Sequence, residues 1–226
     1  IGGIHSIQYD EEFYSDEFHN IDDDDAASYY PAILVNNKLY PFHLGKEFLH
    51  TYNEIYKERI LLKQLAKKDK KIKGKVDAFK LSLNGNFGAL GSKDKWLYDL
   101  QTLYSVTLTG QLSLLMLVEE YELNGINVIS NNTDGLTSRY AKSLKPIKDK
   151  IIKDWEEKTN FIIETESFKS FHYSTVNDYI AIKLDGSIKT KGHFLTDLQI
   201  YQNNSSLIIQ KALQEYHKKN SEEFDF

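Results

Sequence analysis

Asp22-Asp23-Asp24-Asp25-Ala26-Ala27-Ser28-Tyr29-Tyr30-Pro31 is the stretch whose reading decides the fold. A run of acids followed by small and aromatic residues reads as a short strand that delivers one carboxylate and then breaks at the proline. Ala32-Ile33-Leu34-Val35 reads as its apolar continuation. A second carboxylate of the same kind lies far downstream. There Asn127-Val128-Ile129 precedes Ser130-Asn131-Asn132-Thr133-Asp134-Gly135, and Leu136-Thr137-Ser138-Arg139-Tyr140 follows. Strand, Asn/Asp/Gly-rich turn, strand predicts a hairpin. Two strands that each present an aspartate can hold divalent cations, so Asp25 and Asp134 are expected to be neighbours.

Between the two lies Lys80-Leu81-Ser82-Leu83-Asn84-Gly85-Asn86-Phe87-Gly88. On a helix, Lys80, Asn84 and Phe87 or Gly88 share one face. Lysine, amide and aromatic ring on one face suit a phosphate, a polar base edge and a base plane.

The three stretches, in this order, resemble the polymerase signatures of family B DNA polymerases: DxxSLYP, KxxxNSxYG and YxDTDS. The first departs at Tyr29 for leucine, the second at Gly85 for serine and Phe87 for tyrosine. The third departs most, with Ser130 for tyrosine, Asn132 for the first aspartate and Gly135 for the last serine. The resemblance implies templated DNA synthesis from dNTPs with two Mg²⁺ ions, Mn²⁺ substituting. It implies Asp25, Asp134 and the Ala26 carbonyl as metal ligands, and Lys80 as the neutraliser of the β- and γ-phosphates, with Arg59 and Lys63 as its partners. Ser28 and Tyr29 would turn backbone amides toward the triphosphate, and Tyr30 would block a ribose 2′-OH. Asn84, Phe87 and Gly88 would line the nascent base pair, and Thr133 belongs to the third signature. Asn177-Asp178-Tyr179 lies where the family carries KxY, so Tyr179 would touch the primer terminus, with Lys189 and Lys191 supplying phosphate contacts. Asn132 carries no charge, and two readings stay open on it: an active enzyme, or a catalytically degenerate polymerase-like module that binds nucleic acid.

Composition sets the outer bounds. At 226 residues, 41% hydrophobic and 27% charged, the chain can bury one core, or a core plus a small helical lobe. Zero cysteines exclude disulfides and thiolate metal sites. No apolar run long enough to span a bilayer and no leader pattern occurs, so neither membrane nor secretion is expected, and a cytoplasmic setting is. A net charge of −5 is unusual for a binder of phosphates, but its distribution is uneven. Acids crowd the first 25 residues, and Lys63, Lys67, Lys68, Lys70, Lys71, Lys73 and Lys75 crowd a later segment. The seven histidines show no ligand-like spacing, which predicts no zinc site.

Apolar periodicity predicts helices over 44–66, 76–90, 101–123, 145–157 and 198–218, the first two joined by a polar reversal at 69–74. In 145–157 the Lys/Asp/Glu positions form the outer face. Residues 161–166, 178–183 and 187–191 read as strands, the last two joined at Asp185-Gly186. The expected fold class is α+β: a polymerase palm with an antiparallel sheet backed by helices, plus an inserted helical-hairpin fingers subdomain. The expected division is palm at 1–42, fingers at 43–92, palm again at 93–200, and a C-terminal helix at 201–226 leading toward a thumb the chain lacks. Gly2-Gly3 sits where family B enzymes carry a Gly-Gly element ahead of the polymerase module. The chain thus reads as a piece of a longer enzyme, most similar to those of bacteriophages, that meets primer–template DNA and dNTPs but no membrane.

Overall fold

The computed structural model describes residues 2–6, 9–66, 68–194 and 207–223. They divide into two units: one of residues 1–3, 26–114 and 156–162, the other of 4–25, 115–155 and 163–226.

The second unit is built on an antiparallel sheet. Its strands are β1 (Tyr9–Tyr14), β2 (His19–Ala26), β3 (Asn127–Asn131), β4 (Gly135–Ala141), β5 (Ile163–Thr175), β6 (Asp178–Lys183) and β7 (Ile188–Lys191). They lie in the order β3-β4-β2-β5-β6-β7, with β1 also paired to β5. At 13 residues β5 is long enough to pair with β1, through Ser170 to Thr175, and with β2, as well as with β6. The expected hairpins are present, β3–β4 around the Asn132 to Asp134 turn and β6–β7 around Gly186, whose φ of 79° suits glycine. Ile21, Ile129, Phe168, Phe171, Tyr173, Tyr179 and Ala181 form the core on one face.

Two strand readings need correction. Residues 32–35 do not continue β2: the chain turns at Ser28, whose φ is 53°, and enters helix α1 (Tyr29–Asn36). Pro31 falls in the first turn of that helix, where the amide it lacks would have had no partner in any case. The strand expected at 161–166 starts at Ile163 and runs on to Thr175, and β1 has no counterpart in the sequence reading.

The first unit holds α1, α2 (Gly45–Ala66), α3 (Lys73–Ala89) and most of α4 (Leu100–Leu123). α2 and α3 form a helical hairpin, tied where the buried Tyr52 hydroxyl donates to the Leu83 carbonyl at 3.1 Å. Asp99 caps α4 by accepting from the Thr102 amide at 3.0 Å. A Cβ at Gly110 would lie 3.2 Å from Ile33 Cδ1, so the missing side chain lets α4 approach α1 closely. α5 (Lys145–Thr159) follows β4, and α6 (Leu207–Glu223) ends the described chain. Residues 198–206 of the helix expected at 198–218 lie outside the described residues.

Candidate active site

Side chains alternate along a strand, so the acid run of β2 splits into two pairs. Asp22 and Asp24 project to one face and are buried to 1% and 0% exposure. Lys148 of α5, itself fully buried, reaches both at 3.0 and 2.8 Å. Tyr140 and Ser167 donate to Asp22, and Tyr121 and Thr165 donate to Asp24. Burial raises both carboxyls, but beside Lys148, Ser167 and Tyr140 the Asp22 group ends below its ordinary value, whereas in the deeper Asp24 burial wins. This corrects the reading of Lys148 as part of a solvated helix face.

Asp23 and Asp25 project to the other face. Asp23 accepts from Thr137 at 3.0 Å and pairs with Lys189 at 2.8 Å. Lys189, expected to reach for phosphate, is thus engaged with Asp23 and lies over the Phe168 ring. Asp25 is opposite Gly135 in the β2–β4 register, immediately next to Asp134 in the turn. A Cβ on Gly135 would lie 2.1 Å from Asp25 Oδ1, so the carboxylate occupies the space a side chain would fill. The turn is fixed by Asn132, whose amide donates to the Gly135 carbonyl at 2.9 Å and whose Oδ1 accepts from the Asp134 amide at 3.2 Å. Ser6 pairs with the end of β3 through the Asn131 backbone, and His5 Nε2 meets Thr133 Oγ1 at 3.1 Å.

Crowding of like charge has a measurable consequence. The Asp25 carboxyl is pushed up to about 7, by burial first and then by Asp23 and Asp134, with Lys189 pulling the other way. Its folded value therefore exceeds the ordinary unfolded one of about 3.9, and the native state binds the extra proton between the two. Stability of the metal-free protein falls as pH rises through that window. Asp25→Asn is expected to raise the melting temperature in EDTA near neutral pH and above, the gain fading toward pH 4. Melting curves across pH measure it, and a variant that loses stability as pH rises would contradict the assignment. In this pair the donors are hard carboxylate oxygens, and the like-charge crowding that raises Asp25 is the condition a divalent cation relieves.

The first unit carries Ala26, Ser28, Tyr29, Tyr30, Arg59, Lys63, Lys80, Asn84, Phe87 and Gly88, and the second carries Tyr179 and Lys191. Ser28 precedes α1 and accepts from Arg59 of α2, which is 6% exposed. Tyr29 is buried, donating to the Gly110 carbonyl at 2.7 Å, so only its backbone is available to a ligand. Tyr30 stacks on Phe87 with ring centroids 4.2 Å apart. Lys80, Asn84 and Gly88 lie exposed on α3, and Lys63 is half-buried on α2. Ala26 is buried at the end of β2. Tyr179, 9% exposed, belongs to the sheet core, and Lys191 pairs with it in register on β7. Of the residues that build the carboxylate site, the sequence reading missed Asp23, Thr137, Ser6 and His5; only the period of two within the acid run could have signalled the first.

The architecture is a mixed one, helices with an antiparallel sheet, and it has a counterpart among solved structures. The family B DNA polymerase of the hyperthermophilic archaeon Pyrobaculum calidifontis matches with a TM-score of 0.64 at 18% identity. The match covers 97% of this chain and 34% of that polymerase, so the chain spans about a third of that enzyme's length. The likeness is one of fold. No family model matches the sequence, and no curated protein matches it. Among the described residues no helix is long and apolar enough to cross a membrane.

Proposed function

We propose that the chain is the nucleotidyl-transfer module of a family B DNA polymerase, adding dNTPs to a primer 3′-OH on a DNA template. The observation that carries this is the Asp25 carboxylate lying over Gly135 beside Asp134, in a fold shared with a polymerase of that family. The residues fit two Mg²⁺ ions, or Mn²⁺ in their place: Asp25 and Asp134 offer hard oxygens and the Ala26 carbonyl a third ligand. Bound there, the ions supply charge stabilisation at the attacking and leaving oxygens.

The chain's own residues bind and orient. The amides that begin α1, at Ser28 and Tyr29, suit triphosphate oxygens, because early helix amides lack intrahelical acceptors. Arg59 fixes the Ser28 hydroxyl, and Lys63 and Lys80 bring positive charge to the same phosphates. Tyr30 and Phe87, stacked as one aromatic plate, present a sugar-facing edge and a base plane, with Asn84 and Gly88 beside them on α3. The α2–α3 hairpin acts as the fingers. Thr133, Tyr179 and Lys191 serve the primer side. Asn132 spends its side chain on the turn that presents Asp134, which supports an active site rather than a degenerate one. Similarity to bacteriophage enzymes rests on the sequence signatures alone.

Primer extension tests the proposal, run with the chain and with any longer protein that contains it. Mg²⁺-dependent elongation with dNTPs and not with rNTPs is expected. Tyr30→Val should raise rNTP incorporation about tenfold or more by removing the ring that excludes the 2′-OH. DNA binding without elongation in the longer protein would instead establish a degenerate binding module.

A further inference from the structure

Outside the acid run, the fold gathers two histidines and a glutamate that sequence spacing gave no reason to group. Glu12 on β1 and His172 on β5 are directly opposite in register, and His217 arrives from α6. All three belong to the second unit. Glu12 Oε1 lies 3.4 Å from His172 Nδ1 and 3.9 Å from His217 Nδ1, and the three ligand atoms all fall within 4.8 Å of one another. Tetrahedral zinc, with ligands at about 2.0–2.2 Å, sets its ligand atoms roughly 3.3–3.6 Å apart. Closing the cluster around an ion therefore takes shifts of about an ångström.

We propose that Glu12, His172 and His217 form a Zn²⁺ site that clips α6 to the sheet, with water completing the coordination. Both Nδ1 atoms are buried without a hydrogen-bond partner, although buried polar atoms are as a rule satisfied. Both are turned toward the same carboxylate oxygen, and His172 is 4% exposed. The outer contacts are those that orient ligands: His172 Nε2 meets Ser170 Oγ at 2.9 Å, and Tyr14 donates to the other Glu12 oxygen at 2.9 Å. The imidazole rings lie 4.1 Å apart, a packing that disfavours two protonated rings and suits the neutral form metals bind. Burial lowers both, His172 to about 4, each countered in part by Glu12. Imidazole nitrogen selects zinc-like ions, whereas the all-oxygen donors at Asp25 and Asp134 suit Mg²⁺. The expectation that the histidines build no zinc site is thereby revised, because strand pairing and a distant helix replace local spacing.

Chelator-stripped chain, titrated with Zn²⁺ by calorimetry and with Co²⁺ by visible absorption, is the test. One ion per chain is expected, with the strong visible bands of four-coordinate Co²⁺ and a higher melting temperature with zinc. His217→Gln should weaken binding by more than the ten- to hundredfold that loss of an outer-shell partner costs. Glu12→Gln, at a half-exposed side chain, should weaken it too and covers the case in which the histidine variant does not fold. Asp134→Ala should bind zinc as the wild type does. Absence of Co²⁺ bands in the wild type, or binding that Asp134→Ala abolishes and both cluster variants keep, overturns the site. The outcome is independent of polymerase activity.

Discussion

Asp134→Asn is expected to lower Mg²⁺-dependent primer extension by about three orders of magnitude or more while leaving the fold intact. The side chain is exposed and the substitution keeps its size, so thermal stability should stay within about 0.5 kcal/mol of wild type. What is lost is the negative charge. If the ion it holds contributes several kcal/mol to the transition state, as such ions do, a loss of about 4 kcal/mol corresponds to a factor near a thousand. The turn itself is built from the Asn132 and Gly135 backbones and the Asn132 side chain, all of which the substitution keeps. Gly135→Ser should be as damaging by another route, since its Cβ would collide with the Asp25 carboxylate and the Asp24 carbonyl 2.8 Å away. Family B signatures carry serine at this point, so the substitution restores the family letter while displacing the acid. Single-turnover extension rates decide the matter: an Asp134→Asn enzyme within tenfold of wild type removes Asp134 from the chemistry.

Lys148→Ala should be the most destabilising single change outside the apolar core. It strands two buried carboxylates, Asp22 and Asp24, whose common cation is gone. Breaking a buried ion pair by removing one partner costs about 3–5 kcal/mol, a large share of a domain's usual 5–15 kcal/mol. At about 2–4 °C per kcal/mol for a chain of this size, the melting temperature should drop by roughly 10 °C. Lys148→Met combined with Asp22→Asn and Asp24→Asn should recover much of the loss, because no charge then remains to be buried. Denaturant titration of the single and triple variants checks both statements. A Lys148→Ala protein as stable as wild type would mean that the ammonium contributes nothing there.

Legibility in the sequence followed the strength of local periodicity. α2, α4 and α5 are amphipathic over many turns, and each begins or ends within a residue or two of its expected bounds. The β3–β4 hairpin was legible from turn chemistry alone. α1 was not, because an eight-residue apolar helix and an apolar strand look alike, and only the left-handed Ser28 distinguishes them. β1 was hidden by its composition, Tyr-Asp-Glu-Glu-Phe-Tyr, which shows no clean alternation and depends on β5 for its pairing. In the candidate site the neighbouring acids Asp25 and Asp134 could be named from their motifs, whereas the partners of Lys148 and Lys189 could not. Both lysines sit in ordinary polar surroundings in the sequence, and only a carboxylate brought from over a hundred positions away gives each its partner. The same holds for His172 and His217.

The division of labour inside Asp22 to Asp25 makes that run sensitive to insertion and deletion rather than to chemistry. Removing a single residue between His19 and Asp22 would turn every later acid of the strand through half a revolution. The pair now clamped by Lys148 would turn to the face that Asp23 and Asp25 occupy, and Asp23 and Asp25 would point into the ammonium's cage. All four letters would survive such a frameshift in space, and an alignment would still find its motif. Viable length changes ahead of Asp25 should therefore come in twos.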